Sequence, residues 1–135
     1  MFHKVYGSGL TYFVAPPVAA ELVKYMENAF LALKVGFCNE FYDLCQAVGA
    51  DYEFIRSMWL QDRRINPSHT RVTAERGYGG SCFPKDLASI CSTARDVGTP
   101  MEILEALQAA NNRHRSTKGP VESDLSTELV TTSLD

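Results

Sequence analysis

The segment from Gly77 to Asp86 contains the residue types best suited to chemistry. Its first five residues, 77–81, form what we call the glycine loop: three glycines in four positions let the backbone approach a ligand closely, and a helical pattern follows directly. Cys82 lies at this junction, where unpaired N–H groups and the positive end of the helix dipole favour the nucleophilic thiolate. Spacing alone favours the structural alternative, a buried cysteine beside a tight turn.

A lysine and an asparagine form a second candidate group. Lys24 and Asn28 are four residues apart on a helical pattern, so they are neighbours on one helix face. An ammonium and an amide together can stabilise a developing oxyanion or orient water. The alternative, which the spacing alone favours, is a solvated polar face. Asp86 follows Cys82 by about one helical turn and can simply serve the helix dipole, and Lys85 can be a surface residue.

A long helix is predicted to position the lysine and the asparagine. It runs from Pro17 to Val48, with a proline pair at its start and Gly49 as its stop signal. At a rise of about 1.5 Å per residue it spans about 45 Å, which is longer than a 15.0 kDa globule needs. We therefore expect it to pair with a second copy in an intertwined homodimer. Its recurring apolar positions are Leu22, Met26, Ala29, Leu33, Phe37, Phe41, Leu44 and Val48.

Shorter helices are predicted to follow. Asp51 can cap the first of them, and residues 62–76 then form a long polar segment without clear periodicity. The next helix follows Cys82 and ends at Gly98. Its expected apolar face consists of Leu87, Ile90, Cys91, Ala94 and Val97.

A capping box is expected to open the last helix. Thr99 is the expected N-cap, with proline at the first helical position and Glu102 three residues after the cap. The helical domain then covers residues 16–115 and has an all-α fold, a long central helix with shorter helices packed on it. Residues 1–15 are expected to be a leader or the remnant of a preceding domain, and residues 116–135 a disordered tail rich in Ser and Thr.

Composition and charge exclude several classes of protein. The 135 residues are 45% hydrophobic and 21% charged, which is typical of one globular domain. The net charge of −3 lies in the last twenty residues, which hold one lysine and four acidic residues, so a basic nucleic-acid-binding face is not expected. We expect a cytoplasmic protein without membrane segments, because neither a membrane span nor a secretory signal is present. The four cysteines form no CxxC pair, and we expect free thiols and no metal site.

Three motifs in the correct order resemble the UDP-glucose/GDP-mannose dehydrogenase family, most closely its UDP-glucose-oxidising members. The similarity is continuous from about Ala19 to Arg115. It covers the central helical domain of the family, which joins two Rossmann-type domains, forms the dimer and is similar to the C-terminal domain of 6-phosphogluconate dehydrogenase. The motifs are Ala20–Lys34, Phe37–Glu40 and Gly77–Asp86.

The resemblance implies a specific chemistry. Enzymes of this family oxidise the C6 alcohol of a nucleotide sugar to a carboxylate with two NAD⁺ and one water, through a thiohemiacetal and a thioester on one cysteine. By resemblance Cys82 matches that nucleophile. Lys24 and Asn28 match the pair that polarises the oxygen and stabilises oxyanions, and Asp86 matches the carboxylate that positions the hydrolytic water.

The resemblance also implies binding roles. Gly79 and Arg64 match substrate-binding residues, the arginine reaching the nucleotide sugar across the dimer, and Lys85 matches a cofactor contact. NAD is the cofactor of the full-length family. We expect none to bind to this chain alone, because the sequence lacks the glycine fingerprint of a dinucleotide fold. A separate Rossmann-domain chain is a possible partner.

Two functions remain open at this stage. The chain is either the central domain of a nucleotide-sugar 6-dehydrogenase, inactive by itself, or a standalone helical dimerisation module or truncated gene product without catalysis. Whether the chain acts as an enzyme, and on which sugar, is therefore also open. A purely structural helical adaptor is disfavoured, because it does not explain why Cys, Pro, Lys and Asp follow the glycine loop in this order.

Overall fold

The computed structural model describes residues 13–117, and these fold into four α-helices without any β-strand. The expected all-α fold is confirmed. The predicted leader at 1–15 and tail at 116–135 lie largely outside the described residues. None of the helices within 13–117 is both long enough and apolar enough to cross a membrane. The helices are α1 (Pro17–Val48), α2 (Tyr52–Trp59), α3 (Cys82–Asp96) and α4 (Glu102–Ser116).

One face of α1 carries small side chains and packs against α3 and α4. Ala29 and Ala32 are buried there with Leu87 of α3 and Leu107 of α4. Gly36 lies so close to α4 that an added Cβ would overlap the side chain of Leu107. The small side chains allow the helix axes to approach closely, and this face therefore forms the core of the domain.

The other face of α1 carries large apolar side chains that the chain leaves exposed. Six of the eight apolar positions that the periodicity predicts are exposed, and we call these six the apolar stripe: Leu22, Met26, Phe37, Phe41, Leu44 and Val48. The other two, Ala29 and Leu33, contact the core of the chain. The helix contains 32 residues and extends for about 48 Å, so its own chain covers one side of it.

The predicted helix ends are mostly confirmed. Gly49 and Gly98 follow α1 and α3 with φ values of +72° and +74°, and the backbone N–H groups after them bond back into each helix. The carboxylate of Asp51 caps α2 by accepting the N–H groups of Glu53 and Phe54. Within the described helices, therefore, the local stop and start signals decide most of the boundaries.

The capping box predicted at Thr99 is wrong. The cap position of α4 is occupied by Met101, whose side chain forms no capping hydrogen bond within the described residues. The N–H of Thr99 bonds to the carbonyl of Ala94 at 2.8 Å, so Thr99 closes α3 and does not cap α4. Val97, which we expected on the buried face of α3, is 71% exposed because the helix ends one residue before it.

Candidate active site

Cys82 is the first residue of α3 and its side chain is exposed, whereas Cys38, Cys45 and Cys91 are buried. Burial raises the pKa of the Cys38 and Cys91 thiols, which makes them poorer nucleophiles. In the described structure Ser81, the N-cap residue of α3, provides no side-chain cap, so the N–H groups of the first turn, where Cys82 lies, have no capping side chain. The predicted location of Cys82 at the junction of loop and helix is confirmed.

Asp86, one turn after Cys82, connects α3 to α1. Its buried carboxylate, 3% exposed, accepts a hydrogen bond from Asn28 Nδ2 at 2.6 Å. The ammonium of Lys24 lies 3.4 Å from the same carboxylate oxygen, and that of Lys85 lies 3.9 Å from the other. The hydrogen bond from Asn28, together with Lys24, holds the pKa of Asp86 below its ordinary value of 3.8. The carboxylate is therefore ionised at neutral pH.

The structure brings together three of the four residues that we predicted to be catalytic, and the fourth lies beside them. Lys24, Asn28 and Asp86 are in direct contact. Cys82 and Asp86 are separated by four residues on one helix, which places their Cβ atoms about 5–6 Å apart. Lys24 remains 60% exposed, so its ammonium can also meet a ligand. The cluster thus offers a thiol, two hydrogen-bond donors and one fixed carboxylate.

The predicted binding residues are more dispersed. Gly79 is exposed, and a Cβ added to it would lie 3.1 Å from the guanidinium carbon of Arg115. Lys85 points largely to solvent. Arg64 lies on the segment after α2, where it is exposed and paired with Asp62 at 2.6 Å. Its contact with a substrate held by a second copy stays a prediction.

Sequence reasoning assigned no role to the residues that hold the glycine loop. Asn39 of α1 and Asn111 of α4 are buried and bond to the main chain of this loop. Asn39 lies eleven residues after Asn28, which is about three helical turns and therefore the same face. The signal that could have identified both asparagines is a polar residue at a helix position where the pattern predicts a buried side chain, because a buried amide needs hydrogen-bond partners.

Comparison with known proteins gives a consistent result. Residues 18–113 match the model of the "UDP-glucose/GDP-mannose dehydrogenase family, central domain". The chain is 42% identical over 100 residues to UDP-glucose 6-dehydrogenase of Rhizobium meliloti, an alignment that covers 74% of this chain and 22% of that protein. It is 43% identical over 96 residues to UDP-glucose 6-dehydrogenase of Pseudomonas aeruginosa, covering 71% of this chain and 21% of that protein. The chain thus spans about a fifth of the length of these relatives.

Proposed function

Because this chain belongs to the UDP-glucose/GDP-mannose dehydrogenase family and contains its central domain, we propose that it supplies the catalytic thiol of a UDP-glucose 6-dehydrogenase. The observation that supports this most is the contact of Lys24 and Asn28 with Asp86, one turn from the exposed Cys82. A thiol for covalent catalysis, donors for an oxyanion and a carboxylate for water are the groups that oxidation of an aldehyde to an acid requires.

The first role of the site is to bind the C6 aldehyde covalently. The Cys82 thiolate adds to the carbonyl carbon, a C–S bond forms, and the electron pair of the carbonyl moves onto its oxygen. Lys24 and the second N–H of Asn28 stabilise that oxygen, because both donors are held at the same carboxylate oxygen of Asp86, one helical turn from Cys82. Asp86 fixes these donors in place before the substrate arrives, which lowers the cost of reorganisation.

The second role is hydrolysis of the thioester, which can exist only after the C6 hydride of the adduct has been lost to an acceptor; NAD⁺ would supply that acceptor when bound by a Rossmann-type domain. A water molecule adds to the thioester carbon, the C–S bond breaks, and the Cys82 thiolate leaves while a proton is released to solvent. The pKa of Asp86 is held below its ordinary value, so this carboxylate is a weak base at neutral pH. Asp86 therefore orients the water by accepting a hydrogen bond, and Lys24 stabilises the oxyanion again.

The described residues do not fit NAD⁺ by themselves. Residues 13–117 are helical and lack the strand, glycine turn and helix that hold a dinucleotide. The candidate contact among them is Lys85, which is largely exposed. We expect this chain alone neither to bind NAD⁺ tightly nor to oxidise UDP-glucose. A Rossmann-type domain, on the same or another polypeptide, must complete the site.

We also propose that α1 forms a homodimer. The apolar stripe leaves large side chains of one helix in water, and an apolar groove of about 1100 Å³ lies beside its N-terminal half. The groove lies between Met26 and Phe30 of α1 and Ile103 of α4. A two-fold axis would place the same surface of a second copy against it. The predicted contact of Arg64 with the substrate of the other copy requires such a dimer.

The dimer is tested by light scattering with a matched pair of variants. The unmodified chain should have about twice the mass of 15.0 kDa expected for a monomer. Phe41→Glu places a charge in the apolar stripe and should give a monomer, whereas Gln46→Glu adds the same charge at an exposed polar site of α1 and should stay dimeric. A monomeric unmodified chain would overturn this part of the proposal.

The catalytic proposal is tested in a chimera that carries this chain in place of the central domain of the Rhizobium meliloti enzyme. Lys24→Ala should lower kcat by about 10²–10³, the usual loss of an oxyanion donor. Lys34→Ala is the control, because this lysine lies on the same helix but donates to the carbonyl of Asn66. Cys82→Ala should abolish oxidation to the acid. Full activity of the Lys24 or Cys82 variant would refute the assigned roles.

A further inference from the structure

The main chain of the glycine loop is held by an asparagine from α4. The side-chain oxygen of Asn111 accepts the N–H of Tyr78 at 2.7 Å, and its amide nitrogen donates to the carbonyl of Tyr78 at 3.0 Å. Both residues are buried. The amide thus pairs with both polar groups of one loop residue, as a neighbouring β-strand would, although the loop has no strand partner in the described structure.

A second asparagine holds the preceding residue from α1. The side-chain oxygen of Asn39 accepts the N–H of Gly77 at 3.0 Å and Nε of Arg76 at 2.9 Å. Its amide nitrogen donates to the carbonyl of Val35 at 2.9 Å, which fixes the orientation of the amide. Asn39 is buried as well, so both amides act in an environment where an unpaired polar group is costly.

These contacts place Cys82 between two attachments to the same helix. The loop is attached to α1 through Asn39, and α3 is attached to α1 through Asn28 and Asp86. Ser81, the N-cap residue of α3, makes no side-chain capping hydrogen bond in the described structure, so the start of this helix lacks that local anchor. The hydrogen bonds that hold the loop provide an anchor in its place.

We propose that Asn111 and Asn39 are positioning residues that set the location of the Cys82 thiol at the start of α3. The hydrogen bonds described for them go to other groups than the thiol and the Lys24 cluster, and they act through the main chain of the glycine loop. The inference rests on the proposed function for its catalytic meaning. Its structural content, that the loop anchors determine the surroundings of Cys82, can be measured without a nucleotide sugar.

The experiment compares Asn111→Leu with Asn112→Leu in the full 135-residue chain. Leucine keeps the branched shape of asparagine but removes its donor and acceptor, and Asn112 is the adjacent, exposed asparagine on the same helix. The first readout is amide hydrogen exchange by NMR. The second is the ratio of the Cys82 alkylation rates with iodoacetate and iodoacetamide. Both reagents attack the thiolate, so the ratio reports the local charge around the sulfur and cancels the thiolate fraction.

For Asn111→Leu we expect exchange at Tyr78 to accelerate by about thirtyfold, the effect of losing its two hydrogen bonds to Asn111. The exchange of Ala32 in the core of α1 should stay unchanged. The alkylation ratio of Cys82 should fall at least about twofold as the thiol leaves the vicinity of Lys24 and the helix N-terminus. Asn112→Leu should change neither readout.

Two results would overturn the inference. One is a uniform acceleration of exchange that includes Ala32, which indicates a merely structural role. The other is an unchanged alkylation ratio of Cys82 despite faster exchange at Tyr78. If Asn111→Leu does not fold, Asn111→Asp, which keeps the acceptor and loses the donor, is subject to the same criteria. Failure of the Lys24→Ala test in the chimera would leave these outcomes intact, so the two proposals fail separately.

Discussion

Two glycines of the same loop provide a sharp test of how the loop is held. Gly77 and Gly80 both have left-handed backbones, with φ values of +58° and +75°. An alanine Cβ at residue 77 would overlap Oδ1 of Asn111, whereas at residue 80 nothing lies within 4 Å of it. Gly77→Ala and Gly80→Ala therefore share the backbone strain and differ in the contact with Asn111.

The expected destabilisation follows from these two contributions. Left-handed backbone costs an alanine about 1–2 kcal/mol, and part of this is offset because alanine reduces the entropy of the unfolded chain. We thus expect a loss of about 1 kcal/mol for Gly80→Ala. Gly77→Ala also displaces Asn111 and breaks its two hydrogen bonds to Tyr78, at about 1 kcal/mol each. Its total should be about 3 kcal/mol.

Thermal and urea unfolding measure this difference. Circular dichroism follows the helices, and the fluorescence of Trp59, the one tryptophan of the chain, checks that the transition is two-state. All variants are compared at equal protomer concentration, because association would shift the apparent stability. A gap of about 2 kcal/mol corresponds to a Tm difference of about 10 °C for a domain of this size. Equal losses in the two variants would refute the claim that Asn111 holds the loop.

Three further predictions concern protonation and reactivity. Burial lowers the pKa of His114 below 6.5 in the folded chain, so on acidification the unfolded chain takes up the imidazole proton before the folded chain does. Tm should therefore fall as pH decreases from about 7.5 to about 5.5. The fall should be smaller in His114→Gln. The pKa of Asp86 is lowered by Asn28 and Lys24, so its stabilising contribution is present above pH 3.8 and is lost as pH falls through its lower folded value. Urea midpoints below that pH should therefore vary less in Asp86→Asn than in the unmodified chain. In a reaction with limiting iodoacetamide, peptide mapping should find Cys82 labelled first, because the other three thiols are buried. Earlier labelling of Cys38, Cys45 or Cys91 would contradict the assignment of Cys82 as the accessible nucleophile.

Local signals in the sequence determined the helices and most of their ends. Gly49 and Gly98 stop α1 and α3 because a left-handed residue is needed there, and Asp51 caps α2 through its own side chain. Each of these effects acts over a few residues and is visible in the sequence. The sequence also placed Lys24 beside Asn28, because the helical repeat makes residues four apart neighbours.

Tertiary structure decided which face of α1 packs inward. The periodicity of the helix identifies its apolar residues but does not show which of its apolar faces becomes buried. The close approach of Gly36 to Leu107 selects the small side chains for the core and leaves the large apolar stripe outside. The role of Thr99 was likewise decided by competition between two neighbouring helices. Its N–H bonds to the end of α3, and Thr99 therefore does not form a capping box for α4.

The geometry of the site was decided in the same way. Asp86 is fifty-eight residues from Asn28, and the sequence did not predict the hydrogen bond between them; family resemblance indicated only that both belong to one catalytic site. Asn39 and Asn111 meet the glycine loop from two helices that are distant in the sequence. A side-chain amide pairs with whichever backbone groups the fold leaves unpaired beside it, and that choice exists only after the helices have packed.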